Sequence, residues 1–307
     1  CPAPTVRQYL PGLAFETPKV SIYIPAYNAA NYIKQAVQSC LNQNFGDLEV
    51  CICDDGSTDN TLEVLENNFS KNPKVRWVIQ ENGGIGKATN TAISMCRGMY
   101  IAQLDSDDLL KPHAVRACVE ILDKSVHLDA VYADCDYIDK NGEYIRDGWC
   151  GGEFSRDWMS TGMIATHFRM FRKRLWSRTM GCNEKIKNAV DLDLWLKFFE
   201  RGNIDHIHQI LYSYRWHGEN TSIQHRKQQE RNHLKVVADS LKRQKLDRFW
   251  MVQPTGNKLN PREFKIVPLE NSPQVRPEDV VLLIPTCKKY FAKAEAVRNT
   301  WASQLKD

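Results

Sequence analysis

Strand-like and helix-like segments alternate along the first hundred residues, and no other feature of the sequence constrains the fold as much. Apolar runs at residues 20–25 and 48–53 are typical of buried strands, and between them Ile33, Val37 and Cys40 recur at helical spacing. Strands joined by helices of this length need crossover connections, and they therefore predict an α/β fold with a mostly parallel sheet. Ligands of such sheets bind at the carboxyl ends of the strands.

The sequence divides into four predicted parts. Residues 1–17 are an N-terminal extension, and residues 18–252 form the α/β domain. Residues 253–278 contain five prolines and little periodicity, which predicts a linker. Residues 279–307 begin with a new strand-like run and are expected to start a second domain that the chain does not finish. Because the chain opens with Cys1 and has no signal-peptide pattern, we expect a piece of a longer protein.

Composition excludes several classes of protein. Hydrophobic residues make up 42% of the 307 positions and charged residues 25%, which is typical of globular domains and not of disordered, collagen-like or coiled-coil chains. The apolar runs fall far short of the ~20 residues that cross a bilayer, so an integral membrane protein is not expected. A net charge of +4 is too small to indicate a nucleic-acid partner. The ten cysteines are scattered without zinc-ligand spacing, which favours buried thiols and a cytoplasmic protein, with a secretory lumen left open.

Three polar clusters follow predicted strands. Residues 25–28, 54–57 and 105–108 each come where a strand should end. One such cluster is typical of an ordinary turn. Three clusters at successive strand ends favour a binding site along one edge of the sheet.

The cluster Asp105-Ser106-Asp107-Asp108 points most directly to chemistry. Three carboxylates within four residues repel one another unless a positive charge lies among them. Alternate aspartates offer oxygen ligands to Mg²⁺ or Mn²⁺, which also bind phosphate oxygens. The alternative is an acidic helix start ahead of Pro112.

A glycine-rich segment at residues 84–89 matches neither common phosphate-binding fingerprint. It breaks the dinucleotide pattern at its last position, and it lacks the spacing of a P-loop. Neither NAD nor ATP is therefore expected. A backbone turn that brings Lys87 and Asn90 towards a ligand is consistent with the sequence.

Two further polar residues are ambiguous on spacing alone. Asp191 precedes an apolar helix, where an N-cap is an ordinary role. His217 begins a polar loop, and a lone histidine is more often structural than a ligand. No Ser–His–Asp or Cys–His arrangement follows from the spacing.

Taken together, these motifs resemble the family-2 inverting glycosyltransferases of the GT-A fold, over about residues 18–246. That fold is a Rossmann-like, mostly parallel central sheet flanked by helices. Within the family, residues 20–25, 47–53, 103–107 and 167–171 are most similar to the second catalytic module of bacterial chondroitin and hyaluronan synthases. This resemblance implies transfer of glucuronic acid from its UDP-sugar, with N-acetylhexosamine as the next candidate.

The resemblance also implies a role for each motif residue. Asp191 would be the catalytic base, and Asp107 and His217 would hold Mn²⁺ or Mg²⁺. Asp105 would bind the ribose and the metal within the DXD motif. The donor-binding residues implied are Pro25, Tyr27, Asn28, Asp54, Asp55, Ser57, Gly84, Lys87, Asn90, Asp105 and Ser106.

Within this set, Tyr27 and Asp55, with Asp54, would hold the uracil. One departure from the family is Val190, where many members have Glu before the catalytic Asp. The synthase module resembled here also has Val at that position, so Asp191 keeps the role of base.

The partners implied are a UDP-sugar donor and a glycan acceptor. Residues 226–248 hold eight basic against three acidic residues, which indicates either a solvated helix face or a contact with an anionic acceptor or the inner membrane leaflet. The location expected is cytoplasmic, with peripheral membrane attachment left open. Residues 279–307 resemble the start of a β-1,3-galactosyltransferase-type domain, which implies a second transferase domain in the full-length protein.

Two other function classes fit parts of the pattern. A sugar nucleotidyltransferase also uses paired aspartates on an α/β sheet, but it releases pyrophosphate and gives His217 no role. A non-catalytic module would bind a UDP-sugar without turnover, and it would have no need of Asp191.

Overall fold

The apolar runs of the sequence form one central sheet in the computed structural model, which describes residues 7–9, 17–148, 165, 167–217, 226–257 and 263–270. The strands of this sheet are β1 (Arg7–Tyr9), β2 (Val20–Ala26), β3 (Leu48–Asp54), β4 (Val75–Ile79), β5 (Tyr100–Gln103), β6 (Leu109–Leu110), β7 (Ala130–Ile138), β8 (Tyr144–Asp147), β9 (Arg169–Arg172) and β10 (Ile204–Arg215). They lie in the order β1-β4-β3-β2-β5-β9-β7-β10-β6, and β8 pairs with β7.

The first half of the sheet has the parallel arrangement that the alternation predicts. Strands β4, β3, β2 and β5 are parallel neighbours, so their carboxyl ends meet at one edge. Every residue of β2 and β3 is buried, as expected for strands covered on both faces. Pro25 is tolerated in this central strand because the ladder with β5 ends at Tyr23, before the missing proline N–H is needed.

The second half of the sheet is mixed. Strand β9 is antiparallel to both β5 and β7, whereas β7 and β10 are parallel to each other. The predicted α/β class is confirmed. The predicted parallel arrangement holds for the half of the sheet whose strands are followed by the three polar clusters.

Helices cover both faces of the sheet. They are α1 (Ile33–Leu41), α2 (Thr61–Phe69), α3 (Ile85–Met95), α4 (Ala114–Lys124), α5 (Lys173–Trp176), α6 (Val190–Arg201) and α7 (Arg226–Arg243). The apolar faces of α1, α2 and α4 form one core with the sheet. Those of α3, α5 and α6 form the other, in which Trp195 and Phe198 are fully buried. Two helical layers around a sheet bury enough apolar surface for one stable domain.

A hairpin lies partly within residues 253–278, where a linker was predicted. Strands β11 (Trp250–Pro254) and β12 (Phe264–Pro268) pair antiparallel in a separate two-stranded sheet. Phe264 is buried against Val236 and Val237 of α7, which anchors the hairpin to the domain. Pro254 and Pro268 sit at the strand ends, where a missing N–H costs least. The sequence showed the prolines but not the pairing of the two short strands between them.

Other predictions about the ends of the chain fall outside the described residues. Residues 271–307, with the expected second domain, belong there, as does most of the N-terminal extension. Within residues 7–9, β1 adds an antiparallel edge strand to β4. The division into four parts stays a prediction.

The seven cysteines in the described ranges are all buried, and none of them forms a disulfide. This agrees with the predicted role of these thiols as small apolar side chains. No helix in the same ranges is both long and apolar enough to span a bilayer.

Candidate active site

Hydrogen bonds connect the loop after β2 to the loop after β3. The Asn28 backbone N–H donates to Ser57 Oγ at 2.9 Å, and the Thr58 N–H donates to Asn28 Oδ1 at 2.8 Å. Ser57 Oγ in turn donates to Asp54 Oδ1 at 2.5 Å. Asn28 has a φ of 51°, a left-handed conformation that asparagine adopts more readily than most residues. Asn28, Asp54 and Ser57 therefore shape this edge of the sheet, and their contact with a donor stays a prediction.

Tyr27 stands at the end of β2 with half of its surface exposed. Pro25, two residues earlier, is buried within the strand. An exposed aromatic ring beside the polar residues at this edge of the sheet is a suitable surface for stacking a planar base.

Asp55 connects the loop after β3 to the glycine-rich segment. Its Oδ1 accepts from Gln80 Nε2 at 2.6 Å and from the Gly83 N–H at 2.9 Å, and its Oδ2 accepts from the Gly84 N–H at 2.7 Å. Gly84 has a φ of 84°, which an L side chain rarely adopts. A carboxylate accepts about four hydrogen bonds, so Asp55 has capacity for one more donor besides these three.

The side chain of Lys87 lies over this glycine turn. A Cβ added at Gly83 would sit 2.2 Å from Lys87 Cδ, so the absence of a side chain at Gly83 makes room for the lysine stem. Asn90, one turn further along α3, is bonded elsewhere. Its Nδ2 donates to the Cys182 carbonyl and to Glu184 Oε1, and its Oδ1 accepts from the Cys182 N–H at 2.9 Å. The structure thus gives Asn90 a role in tying α3 to the segment before α6.

The acidic cluster lies after β5, and it meets His217 in space. Asp107 Oδ2 is 2.9 Å from His217 Nε2, although the two residues are 110 positions apart. Ser106 lies half-buried between the two aspartates of the motif. Burial and the neighbouring Asp107 charge raise the pKa of the Asp105 carboxyl to about 6. Burial and a neighbouring like charge both disfavour the ionised form of a carboxyl.

The third aspartate of the cluster is a structural residue. Asp108 is 1% exposed, and its two oxygens accept from the Tyr212 hydroxyl at 2.7 Å and the Arg215 N–H at 2.6 Å. The Tyr212 hydroxyl also accepts from the Asp105 N–H at 3.2 Å. Burial, with Asp107 and Asp105 nearby, raises the pKa of Asp108 well above its ordinary value. These hydrogen bonds fix the loop of residues 105–108, the motif loop, to β10.

Arg215, at the end of β10, is a residue that the sequence analysis missed. It is fully buried, and its guanidinium donates to the Asp107 carbonyl, to the Asp139 and Lys140 carbonyls and to Gln35 Oε1. The backbone that leads to His217 is thereby held against the motif loop. The feature of the sequence that could have indicated this role is a positively charged residue at the end of the strand-like run 204–215.

Asp191 lies in the first turn of α6, with its side chain 48% exposed. Arg169 Nη2 lies 3.6 Å from Asp191 Oδ2, and Arg169 Nη1 donates to Gln103 Oε1 at 3.3 Å. Gln103 Nε2 donates in turn to Asp105 Oδ1 at 3.1 Å. Arg169, which is 2% exposed, therefore links Asp191, the expected base, to Asp105, the aspartate expected to bind the donor.

Arg169 was also missed by the sequence analysis. It pairs with Gln103 in the β5–β9 ladder, and that register places it beside the acidic motif. Its signal was an arginine inside the apolar run 167–171.

The basic helix α7 is less free than its composition suggests. Arg243 Nη2 lies 2.8 Å from Glu200 Oε1, and Arg243 Nη1 lies 3.3 Å from Asp193 Oδ1, both on α6. Glu200 and Asp193 are almost completely buried. Arg243 thus joins two helices and is not a surface charge for an acceptor or a membrane, whereas Lys242 is 65% exposed.

Comparison with known proteins agrees with this arrangement. The family model for glycosyl transferase family 2 matches residues 21–179, which is more than half of the 307-residue chain. A chondroitin synthase of Escherichia coli is 47% identical over 254 residues, which cover 83% of this chain and 37% of that protein. A hyaluronan synthase of Pasteurella multocida is 52% identical over 227 residues, which cover 74% of this chain and 23% of that protein. The chain thus spans a quarter to somewhat over a third of the length of these relatives.

Solved structures share the fold. S. aureus TarS 1-349 in complex with UDP-GlcNAc aligns with a TM-score of 0.61 at 21% identity, covering 73% of this chain and 66% of that one. The mannosyltransferase PcManGT from Pyrobaculum calidifontis, in complex with GDP-Man and Mn²⁺, aligns with a TM-score of 0.58 at 19% identity, covering 74% and 65%. These likenesses confirm the predicted GT-A fold. The family match over residues 21–179, together with the two synthases, places the chain in glycosyl transferase family 2.

Proposed function

We propose that this chain transfers a sugar from a UDP-sugar to a glycan acceptor with inversion, forming a β-linkage with the help of Mn²⁺ or Mg²⁺. The observation that carries the proposal is the approach of Asp107 Oδ2 to His217 Nε2 at 2.9 Å. The pair lies beside Asp105, which is connected to Asp191 through Gln103 and Arg169. Metal-ligand side chains and a candidate base thus share one edge of the sheet.

The residues present fit a divalent cation. Carboxylate and imidazole groups are ligands that Mn²⁺ accepts, and Asp107 and His217 would hold it with Asp105 nearby. The pKa of Asp105 is raised first by burial and then by the neighbouring Asp107 charge, and a cation would relieve the second of these. When bound, the ion supplies Lewis-acid stabilisation of the charge that builds up on the leaving diphosphate.

The chain's own residues account for the other parts of the reaction. Asp191 removes the proton from the attacking acceptor hydroxyl, whose oxygen forms a bond to the anomeric carbon. The bond from that carbon to the diphosphate oxygen breaks on the opposite face, and UDP leaves. Arg169 holds the Asp191 carboxylate at 3.6 Å, and Lys87 supplies a positive charge at the glycine turn. Tyr27 offers its exposed ring to the uracil.

UDP-glucuronic acid is the first donor candidate and UDP-N-acetylhexosamine the second. Chondroitin and hyaluronan are polymers in which glucuronic acid alternates with N-acetylhexosamine, and synthases of both are 47% to 52% identical to this chain. The UDP-GlcNAc complex of TarS supports a UDP-sugar as the donor.

The test is release of UDP in the presence of Mn²⁺, measured over a panel of UDP-sugars with and without short chondroitin or hyaluronan oligosaccharides. We expect one donor to be preferred and the product to carry a β-linkage by NMR. Asp191→Asn should lower kcat by about 10²- to 10⁴-fold while UDP binding is kept, because a general base contributes that factor. Asp247→Asn, an exposed aspartate far along the chain, is the matched control.

Three outcomes would contradict the proposal. Release of pyrophosphate would indicate a nucleotidyltransferase. Tight UDP binding without turnover on any acceptor of the panel would indicate a binding module. Full turnover by Asp191→Asn would remove the assignment of the base.

A further inference from the structure

A second group of metal-ligating side chains lies away from the candidate active site. Asp134 of β7 and His206 and His208 of β10 each offer one ligand atom, and these atoms all lie within 4.8 Å of one another. Asp134 is in the middle of its strand, four residues before the strand ends at Ile138. The group is therefore distinct from the Asp107 and His217 pair at the strand ends.

A bulge in β10 brings the two histidines together. Ile207 pairs with Ala133 and Ile210 pairs with Asp134, so that His208 and Gln209 are extra residues in the ladder. Side chains two apart in a regular strand stand roughly 6.6 Å from each other. The ring centroids of His206 and His208 are only 4.2 Å apart. Bulges often re-aim a side chain towards a site in this way.

His206 lies close enough to Asp134 for one ion to bind both side chains. Its side chain is 2% exposed, and its Nε2 lies 2.7 Å from Asp134 Oδ1. Its Nδ1 is buried without a hydrogen-bond partner among the described residues. The ring is held flat against Tyr132, with centroids 4.5 Å apart and 5° between the planes.

The chemistry of the group selects one class of ligand. Two imidazoles and one carboxylate are the ligands of Zn²⁺ and its neighbours in the transition series, whereas Mg²⁺ and Ca²⁺ prefer oxygen ligands alone. His208 is exposed, which gives an ion a path from solvent. Three protein ligands leave a fourth position for water.

We propose that Asp134, His206 and His208 form a second metal site, which takes Zn²⁺ or a similar transition-metal ion. The ion would join the two parallel strands at the bulge and stabilise β10, the strand that ends at Arg215 and leads to His217. The site does not depend on the glycosyl-transfer proposal, because it involves none of the residues assigned to the donor, the acceptor or the base.

Metal binding in an Asp107→Asn background tests the proposal, since that change removes the carboxylate of the Asp107 and His217 pair. Co²⁺ titration followed by visible absorption, and competition by Zn²⁺, report the affinity. We expect binding of one equivalent, and at least a tenfold loss of affinity in His208→Ala. His127→Ala, another exposed histidine, is the matched control and should bind as the parent does. His208 is chosen over His206 because an exposed side chain is removed without disturbing the core.

Thermal unfolding gives a second readout. At a Zn²⁺ concentration one hundred times Kd, the parent should gain about 5 to 10 °C in Tm, and His208→Ala should gain far less. The proposal is overturned if the parent binds no metal, or if His208→Ala binds it with the parent's affinity. Either result would leave His206 and Asp134 as an ordinary hydrogen-bonded pair.

Discussion

Arg169 lies 3.6 Å from Asp191, and it donates a hydrogen bond to Gln103 from the same guanidinium. Gln103 in turn bonds Asp105, so one buried arginine holds the expected base and the donor-side aspartate in a fixed relation. The planar fork of arginine meets two partners at once, which the single ammonium of lysine does not reproduce.

We therefore expect Arg169→Lys to lower kcat by at least tenfold while the affinity for UDP changes little. The reason is that Asp191 loses its orientation but the donor site keeps its ligands. Steady-state kinetics with UDP release, together with UDP binding, separates the two effects. Arg172→Lys is a suitable control, because Arg172 is a buried arginine on the same strand that bonds the Leu122 and Leu128 carbonyls instead. Equal losses of kcat in both variants would contradict a positioning role.

His217→Ala should raise the Mn²⁺ concentration needed for half-maximal activity by tenfold or more. The change removes one of the two groups that meet at 2.9 Å, and Asp107 alone is a weaker ligand set. Activity measured across a Mn²⁺ titration gives the shift. His113→Ala, an exposed histidine at the start of α4, should leave the titration unchanged. An unaltered Mn²⁺ requirement in His217→Ala would exclude it as a ligand.

Asp55→Asn should weaken UDP binding and destabilise the fold by about 1 to 3 kcal/mol. An amide has one acceptor oxygen, and its NH₂ group would face the Gly84 N–H that now donates to Asp55 Oδ2. Urea denaturation and UDP titration check the two effects. Asp247→Asn provides the comparison, and a native-like stability of Asp55→Asn would mean that the glycine turn does not depend on this carboxylate.

Arg243→Ala should cost about 1 to 3 kcal/mol of unfolding free energy, because the buried Glu200 and Asp193 lose one of their two cations and keep only Arg201 and Lys197. Lys242→Ala should change it by less than about 0.5 kcal/mol, since the Lys242 side chain is 65% exposed and its nearest acid is 3.9 Å away. The two neighbouring substitutions form a matched pair for chemical denaturation. Similar values for both would contradict the helix-joining role of Arg243.

Glu49 makes the stability of the fold depend on pH. Burial alone would raise the pKa of its carboxyl, but hydrogen bonds from Ser21 and Arg97 and the charge of Arg76 outweigh burial and hold the pKa below its usual value. The folded pKa is thus lower than the unfolded value of about 4.3, so the contribution is present above that pH and lost as the pH falls.

Glu49→Gln should cost about 2 to 3 kcal/mol at pH 6, because Arg76 and Arg97 lose a buried anion. The difference between wild type and variant should narrow on acidification towards pH 3. Urea denaturation across this range measures it. A difference that grows as the pH falls would contradict the assigned direction of the pKa shift.

The motifs at the strand ends were predictable because their information is local. Asp54 and Asp55 follow an apolar run directly, and Asp105 and Asp107 do the same, so the edge of the sheet and its acidic character follow from short segments of sequence. The parallel order of β4, β3, β2 and β5 follows from the helices between them.

Other features depend on distant contacts that the sequence does not display. Arg169 reaches Gln103, 66 positions away, and Arg215 reaches Gln35, 180 positions away. The side-chain bonds of Asn90 go to residues more than 90 positions further on, and its predicted contact with the donor stays a prediction. The hairpin in the predicted linker depends on the pairing of two five-residue strands, each too short to show a clear period.

Arg215 bears on how such a site could be moved between proteins. One guanidinium connects α1 through Gln35, the motif loop through the Asp107 carbonyl, and the turn after β7 through the Asp139 carbonyl. The position of His217, two residues later, therefore depends on three separate segments of the chain. Grafting residues 105–107 and His217 onto another nucleotide-binding sheet would transfer the residue types of the site without their geometry. A transferable site would have to include Arg215 and the three segments that its guanidinium bonds.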